Sequence, residues 1–364
     1  SPAWSPDGSK IAFTSNDAGG VHIYTMNADG TGRKRVTSQG TWSDGVSWSP
    51  DGKRLIFQEG ISYEDKELYI VNVLNGQVTR LTDNYTLDEN PDWSPCGDWI
   101  AFQSGVDASG GSKLWLIDSD SRERKTVIDD PDIPHDDSSI RPLWSPQALE
   151  IAVIIPTQGN TAWCIIDVNT GRMIQLIRHE GANVVVEADM AAWRPDGKAF
   201  AYVSDWSGTA DIYVQAVATQ TASAPARLTD LSCNTVWLSW HPGGKVILFT
   251  CQGMDDAGQP ESNLYTVDVE ALEIQQLTHG GRDYYGSWSP DAERIAFGTE
   301  RDGATFVAIM DADGANRMIL EETKSKTIWS PKWAPTSGSC RQDAAPATRP
   351  IVQPSLPLPG PATV

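Results

Sequence analysis

The sequence predicts an all-β fold: a seven-bladed β-propeller of four-stranded antiparallel blades, with eight blades as the alternative, ending in an irregular C-terminal tail. Three observations predict it. Trp-Ser-Pro-Asp-Gly at Trp4 and Trp48 returns in weaker copies at Trp93, Trp144, Trp193, Trp240, Trp288 and Trp333, in steps of 44 to 51 residues. Recurrence at that period marks a repeat architecture. Each unit holds four short apolar runs separated by turn residues, as in a four-stranded meander. The runs are continuous rather than alternating, which fits sheets covered on both faces by neighbours around an axis.

The unit at Trp48 is the plainest. A Pro-Asp-Gly turn leads into Lys53–Gln58, a loop into Leu68–Val73, and the Asn75-Gly76 hairpin signal into Gln77–Thr82. Equivalent second strands read Ile11-Ala12-Phe13, Ile100-Ala101-Phe102, Ile151-Ala152-Val153, Phe200-Ala201-Tyr202, Val246–Phe249 and Ile295-Ala296-Phe297. Third strands centre on Ile23-Tyr24, Leu114–Ile117, Trp163–Ile166, Ile212–Val214, Leu264–Val267 and Phe306–Ile309. The fourth unit carries Gln147-Ala148 where Asp-Gly stands elsewhere, so its first turn is expected to differ. The eighth copy, Thr327–Trp333, offers one strand only, which leaves ring closure as the topological question. Residues 1–335 are read as the propeller. Residues 336–364, with six prolines from Pro346 to Pro361, are read as an extended tail or linker.

The W-S-P-D-G turn, the I-A-F strand, the Asn27-Ala28-Asp29-Gly30 and Asp311-Ala312-Asp313-Gly314 hairpins and the closing Arg80-Leu81-Thr82, Arg227-Leu228-Thr229 and Gln276-Leu277-Thr278 together resemble the TolB-type β-propeller repeat, a WD-like blade. The resemblance runs over about residues 1 to 335. It implies a non-catalytic binding or scaffold protein outside the cytoplasm (periplasmic, secreted or at the cell surface) that engages a protein or envelope partner.

Composition narrows the classes of function. The chain has 364 residues, 40% of them hydrophobic, and a formal charge of −20. Such acidity argues against nucleic acid, whose phosphates need a basic footprint, and against anionic membrane surfaces. No apolar run approaches the ~18–20 residues that span a bilayer. The five cysteines show no C-x-x-C spacing, so neither a zinc site nor a disulfide scaffold is indicated. Cys233 and Cys251 lie almost symmetrically about His241-Pro242-Gly243, as cross-strand partners would. A disulfide and a pair of buried thiols are both open readings.

In a propeller, the turns between strands one and two and between three and four share one face. The other loops share the opposite face. Here the tight Pro-Asp-Gly turns occupy the first, and the long, varied loops at 59–66, 105–111 and 253–260 the second. Varied loops on a rigid scaffold are where binding concentrates. Trp42, Trp206, Trp237, Tyr284, Tyr285 and Trp329 fall in or beside these loops, as do His135, His179 and His279. They suit stacking on a sugar ring or holding a peptide side chain, although rings packed between blades would look the same. Acids precede the anchor tryptophans: Asp44, Glu89 and Asp189 by four positions, Asp283 by five, Asp137 by seven. A carboxylate ring could hold calcium, with Asp44, Glu89 and Asp189 as its ligands; caps for loop amides or bonds to a neighbouring blade are the plainer role. The expected ligand-binding set is therefore Trp42, Asp44, Glu89, His135, Asp137, His179, Asp189, Trp237, His279 and Tyr284. The expected partner is a protein or peptide, or else a carbohydrate, with no cofactor other than that calcium.

There is no G-x-S-x-G elbow, no H-E-x-x-H and no phosphate-binding Gly-Lys loop. No catalytic residue is assigned. The alternative is a metal-dependent lyase or hydrolase, or an enzyme accessory, acting on carbohydrate or peptide, with His135, Asp137, His179 and His279 as the groups available for it.

Overall fold

A computed structural model of the chain describes residues 2–16, 20–37, 42–60, 66–84, 86–105, 113–128, 142–147, 149–157, 160–168, 172–178, 190–217, 224–255 and 257–325. Seven four-stranded antiparallel sheets form, each from four strands consecutive in the chain, so the fold is the seven-bladed propeller. No helix among the described residues is long and apolar enough to cross a membrane. In blade 2 the strands run, from the axis outward, Trp42–Trp48, Arg54–Gly60, Glu67–Asn72 and Val78–Arg80. The eighth tryptophan motif and the segment 336–364 lie outside the described residues.

The continuous apolar strands are explained by double coverage. Leu55, Ile56 and Phe57 are all fully buried, alternate side chains facing blade 1 and blade 3. Within a blade, the aromatic of strand two stacks on that of strand three: Phe13 on Tyr24, Phe57 on Tyr69, Tyr202 on Tyr213 and Phe249 on Tyr265, at 5.7–5.8 Å. Between blades, the anchor indole is the clasp. Trp48 Nε1 donates to Ala3 O (3.1 Å), Trp144 to Asp92 O (3.0 Å), Trp193 to Leu143 O (3.0 Å) and Trp240 to Ala192 O (3.0 Å). Each acceptor directly precedes the anchor of the previous blade.

The ring closes by repeating that joint. Trp4 Nε1 donates to Ser287 O (3.3 Å), one residue before the blade 7 anchor, Trp288. Arg294 lies over the Trp4 ring at 5.2 Å, as Arg54 lies over Trp93 at 4.9 Å. Trp4, Ile11 and Phe13 share a core with Ala296, Val307, Ile309 and Leu320. A two-residue first strand, Ala3–Trp4, therefore suffices for blade 1.

The tight turns form an inner ring of their own. Ser49 Oγ donates to Asp51 Oδ1 (2.6 Å) and accepts from Arg54 N (2.9 Å), while Lys53 N donates to Asp51 (3.0 Å). Partial burial pushes the Asp51 carboxyl up, but these hydrogen bonds and Arg54 leave it net below the ordinary value. Gly52 adopts φ 68° and packs against Pro6 of the preceding blade, as Gly97 packs on Pro50 and Gly8 on Pro290. Blade 4 departs as its sequence suggests. Ser145 Oγ is buried with no partner among the described residues, and Gln147 Nε2 reaches instead to Pro195 O (2.9 Å) in the next blade.

In blade 6 the turn carries His241, whose ring meets Trp288 edge-on at 4.8 Å and whose Nδ1 accepts from Gly243 N (2.9 Å). Burial lowers its pKa from 6.5, so the fold favours neutral imidazole. Stability from this residue is present above about pH 6.5 and drains away as the pH falls through that value toward the lower folded pKa. The melting temperature is expected to fall between about pH 7 and pH 5. His241→Asn, which keeps an acceptor for Gly243, should flatten part of that slope.

Cys233 and Cys251 form a disulfide, with Cα atoms 5.6 Å apart. The symmetric register expected from the sequence is not the one that forms. The turn is wider, so Trp240 pairs with Ile247 and Thr235 with Cys251. Cys233 is thus the diagonal rather than the direct neighbour of Cys251.

Candidate functional site

The innermost strands enter from the long-loop face and end at their anchor tryptophans. Four of them break register at one place: between Asp44 and Ser47, at Asn90, between Val236 and Ser239, and between Tyr284 and Ser287. The residue three before the anchor is left-handed each time: Gly45 (φ 62°), Asn90 (φ 54°), Trp237 (φ 53°) and Tyr285 (φ 60°). Glycine and asparagine visit that region easily; bulky aromatics do so at a cost of about 1–3 kcal/mol each. A bulge re-aims side chains and is favoured beside binding sites. The mouth is thereby split into two sectors. Blades 2 and 3 present Asp44-Gly45 and Glu89-Asn90; blades 6 and 7 present Val236-Trp237 and Tyr284-Tyr285.

The aromatic sector is a contiguous cluster. Trp237 lies 4.1 Å from the Tyr285 ring and 6.3 Å from Tyr284, and the two tyrosines meet edge-on at 5.0 Å. All three remain only half-buried. Tyr284 donates to Thr305 Oγ1 (3.3 Å), and burial raises its phenol pKa above the ordinary value.

The acidic sector is internally paired where it is described. Glu89 Oε1 accepts from Lys66 Nζ of blade 2 at 3.0 Å, and both side chains are nearly solvent-free. Asn90 N donates to Gln58 Oε1 (2.8 Å) and Ser43 Oγ to Glu59 Oε1 (2.9 Å). Burial raises the Glu59 pKa. Asp283 is fully buried and bound by both terminal nitrogens of Arg317, at 2.8 and 3.0 Å. Glu89 is thus bonded to a cation of the preceding blade, and Asp283 to one of its own blade. Among the described residues, no three His, Cys, Asp or Glu side chains converge as a metal site.

Of the other residues singled out by sequence, Trp42 and Asp44 sit in the blade 2 inner strand, paired with Gly60 and Gln58, their side chains outside the described set. His135, Asp137, His179 and Asp189 lie wholly outside it. His279 is exposed on the connection between blades 6 and 7. Sequence reading missed the left-handed role of position −3 and the part played by Arg282, Glu261 and Glu300. These three line a pocket of about 490 Å3 with Gln252, Met254, Pro260, Ser262 and Tyr284. One wall is the tall blade 6 hairpin, whose strands Val246–Met254 and Pro260–Asp268 rise above the long-loop face. The other is the top of blade 7, where Arg282 pairs with Glu300 at 3.2 Å.

A family model described as TolB beta propeller domain matches residues 1–62 and 108–337. Over 57 residues the chain is 47% identical to the Tol-Pal system protein TolB of Gluconobacter oxydans, a stretch covering 16% of this chain and 12% of that relative. The corresponding protein of Alcanivorax borkumensis is 46% identical over 56 residues, 13% of its length. The chain thus spans about an eighth of the length of these curated relatives. Among solved structures, TolB from Acinetobacter baumannii is similar at TM-score 0.54 and 18% identity, over 89% of this chain and 67% of that one. At that identity the likeness is one of fold.

Proposed function

Because the chain belongs to the TolB beta propeller domain family, we propose that it is a non-catalytic binding scaffold that engages a protein partner through the long-loop face. The observation that carries this reading is the aromatic sector. Trp237 and Tyr285 hold left-handed backbone and yet stay only partly buried beside Tyr284. Strain at an accessible cluster suits a surface shaped for a ligand rather than for its own packing. Aromatic anchors at the centre of a patch dominate recognition of proteins. The relatives named as Tol-Pal system proteins support a protein as the partner. The Cys233–Cys251 disulfide supports an extracytoplasmic location, since such bonds persist in oxidising compartments.

The test is a selection of random linear peptides against the immobilised chain, with affinities then read by fluorescence anisotropy. Trp237→Ala and Tyr285→Ala should each weaken the selected peptides by about tenfold or more, while melting temperatures show that the variants remain folded. Peptides that ignore both substitutions and respond to Asp291→Ala, on the tight-turn face, would overturn the reading. So would a chain that retains oligosaccharides and no peptide.

A further inference from the structure

We propose that the pocket between blades 6 and 7 is a subsite for a lysine or arginine side chain of the bound protein segment; this rests on the peptide-binding reading above. Its lining places two carboxylates, Glu261 and Glu300, around one guanidinium, Arg282. That guanidinium is engaged on one side. It donates through Nη1 to Glu300 Oε2 (3.2 Å) and through Nε to Pro260 O (3.4 Å). The residual charge is therefore that of one carboxylate.

Hydrogen bonds within the protein hold Glu261 at the pocket wall. Glu261 Oε1 accepts from Gly280 N at 3.2 Å and from Asn263 Nδ2. That second bond places Asn263 on the same side of its strand as Glu261, as two positions along a strand requires. Asn263 itself is buried and is not among the residues that line the pocket, so the two carboxylates are the acceptors a ligand there would meet.

The remaining lining suits the stem of such a side chain. Met254, 69% exposed, and Pro260 form an apolar lip. Long cationic side chains lay their methylenes along surfaces of this kind. Tyr284 lines the pocket too, and an aromatic ring is a favourable neighbour of an ammonium or guanidinium. It also connects the pocket to Trp237 and Tyr285, so one extended segment can fill both. The −20 charge of the chain favours approach of a basic segment over long range.

The probe is the tightest peptide from the selection above. It should contain Lys or Arg, and replacing that residue by Gln should weaken binding about tenfold, a difference of about 1.4 kcal/mol. Glu261→Gln and Glu300→Gln should each weaken the parent peptide by severalfold, and have little effect on the Gln-substituted peptide. Glu261→Gln leaves the Arg282–Glu300 pair intact, so its effect does not depend on disturbing that pair. Affinity should fall as salt rises. A peptide that depends on Trp237 but ignores both glutamate variants would overturn the subsite and leave the binding face standing. Displacement by spermidine at concentrations matching the peptide's own would overturn the assignment to a protein side chain.

Discussion

Trp48→Ala is expected to destabilise the chain by about 3–5 kcal/mol, the range for truncating a fully buried aromatic. Two losses combine. Trp48 is completely buried among Ala3, Ile23, Val46, Leu55, Phe57 and Val71, so truncation leaves a cavity between blades 1 and 2. It also removes the indole donor of Ala3 O, an acceptor in the very short inner strand of blade 1. That strand adjoins the joint at which the ring closes, so the loss should be felt there as well as locally. Trp206→Ala is the control. Its side chain is 52% exposed, and its effect should stay within about 0.5 kcal/mol. Chemical denaturation of the two variants against the parent checks both values.

Asp283→Ala is expected to cost about 3 kcal/mol, the lower end for breaking a buried ion pair. Asp283 is fully buried, but Arg317 is one-third exposed and can recover some hydration. The pair fits because the third strand of blade 7 has no aromatic at the position opposite Phe297. Where blades 1, 2, 5 and 6 have Tyr24, Tyr69, Tyr213 and Tyr265, blade 7 has Ala308. The space left by the missing ring admits the Arg317 side chain, which crosses the Phe297 face at 5.3 Å and reaches Thr299 Oγ1 (2.7 Å) and Asp283. Removing the carboxylate strands that guanidinium. The double variant Asp283→Ala, Arg317→Met should therefore be more stable than Asp283→Ala alone, because no charge is left unpaired. A double variant as unstable as the sum of the single ones would show that the two side chains contribute independently.

The blades were legible in the sequence because their physics is local and repeated. The Pro-Asp-Gly turn and the flanking apolar runs carry the blade order without knowledge of any distant contact. Ring closure was not legible. It depends on Trp4 meeting Ser287, a contact across nearly the whole chain. The bulges were half-visible. Gly45 and Asn90 are residue types that accept left-handed backbone, but Trp237 and Tyr285 give no such signal, and only alignment of the units on their anchors brings the four together. The partners of the acids were hidden for a related reason. Lys66, at the end of a variable loop, meets Glu89 only across two blades of the folded ring. The pocket needed three dimensions altogether, since its walls come from a hairpin of one blade and the strand tops of the next.

In the proposed function, the long-loop face of blades 6 and 7 is where a partner binds. Hydrogen–deuterium exchange of the chain, with and without a saturating selected peptide, tests that most directly. Protection is predicted in the segments spanning 252–262 and 280–286, with the tight turns at 48–54 and 288–294 unchanged. Protection confined to those turns, and none at 252–262 or 280–286, would contradict it.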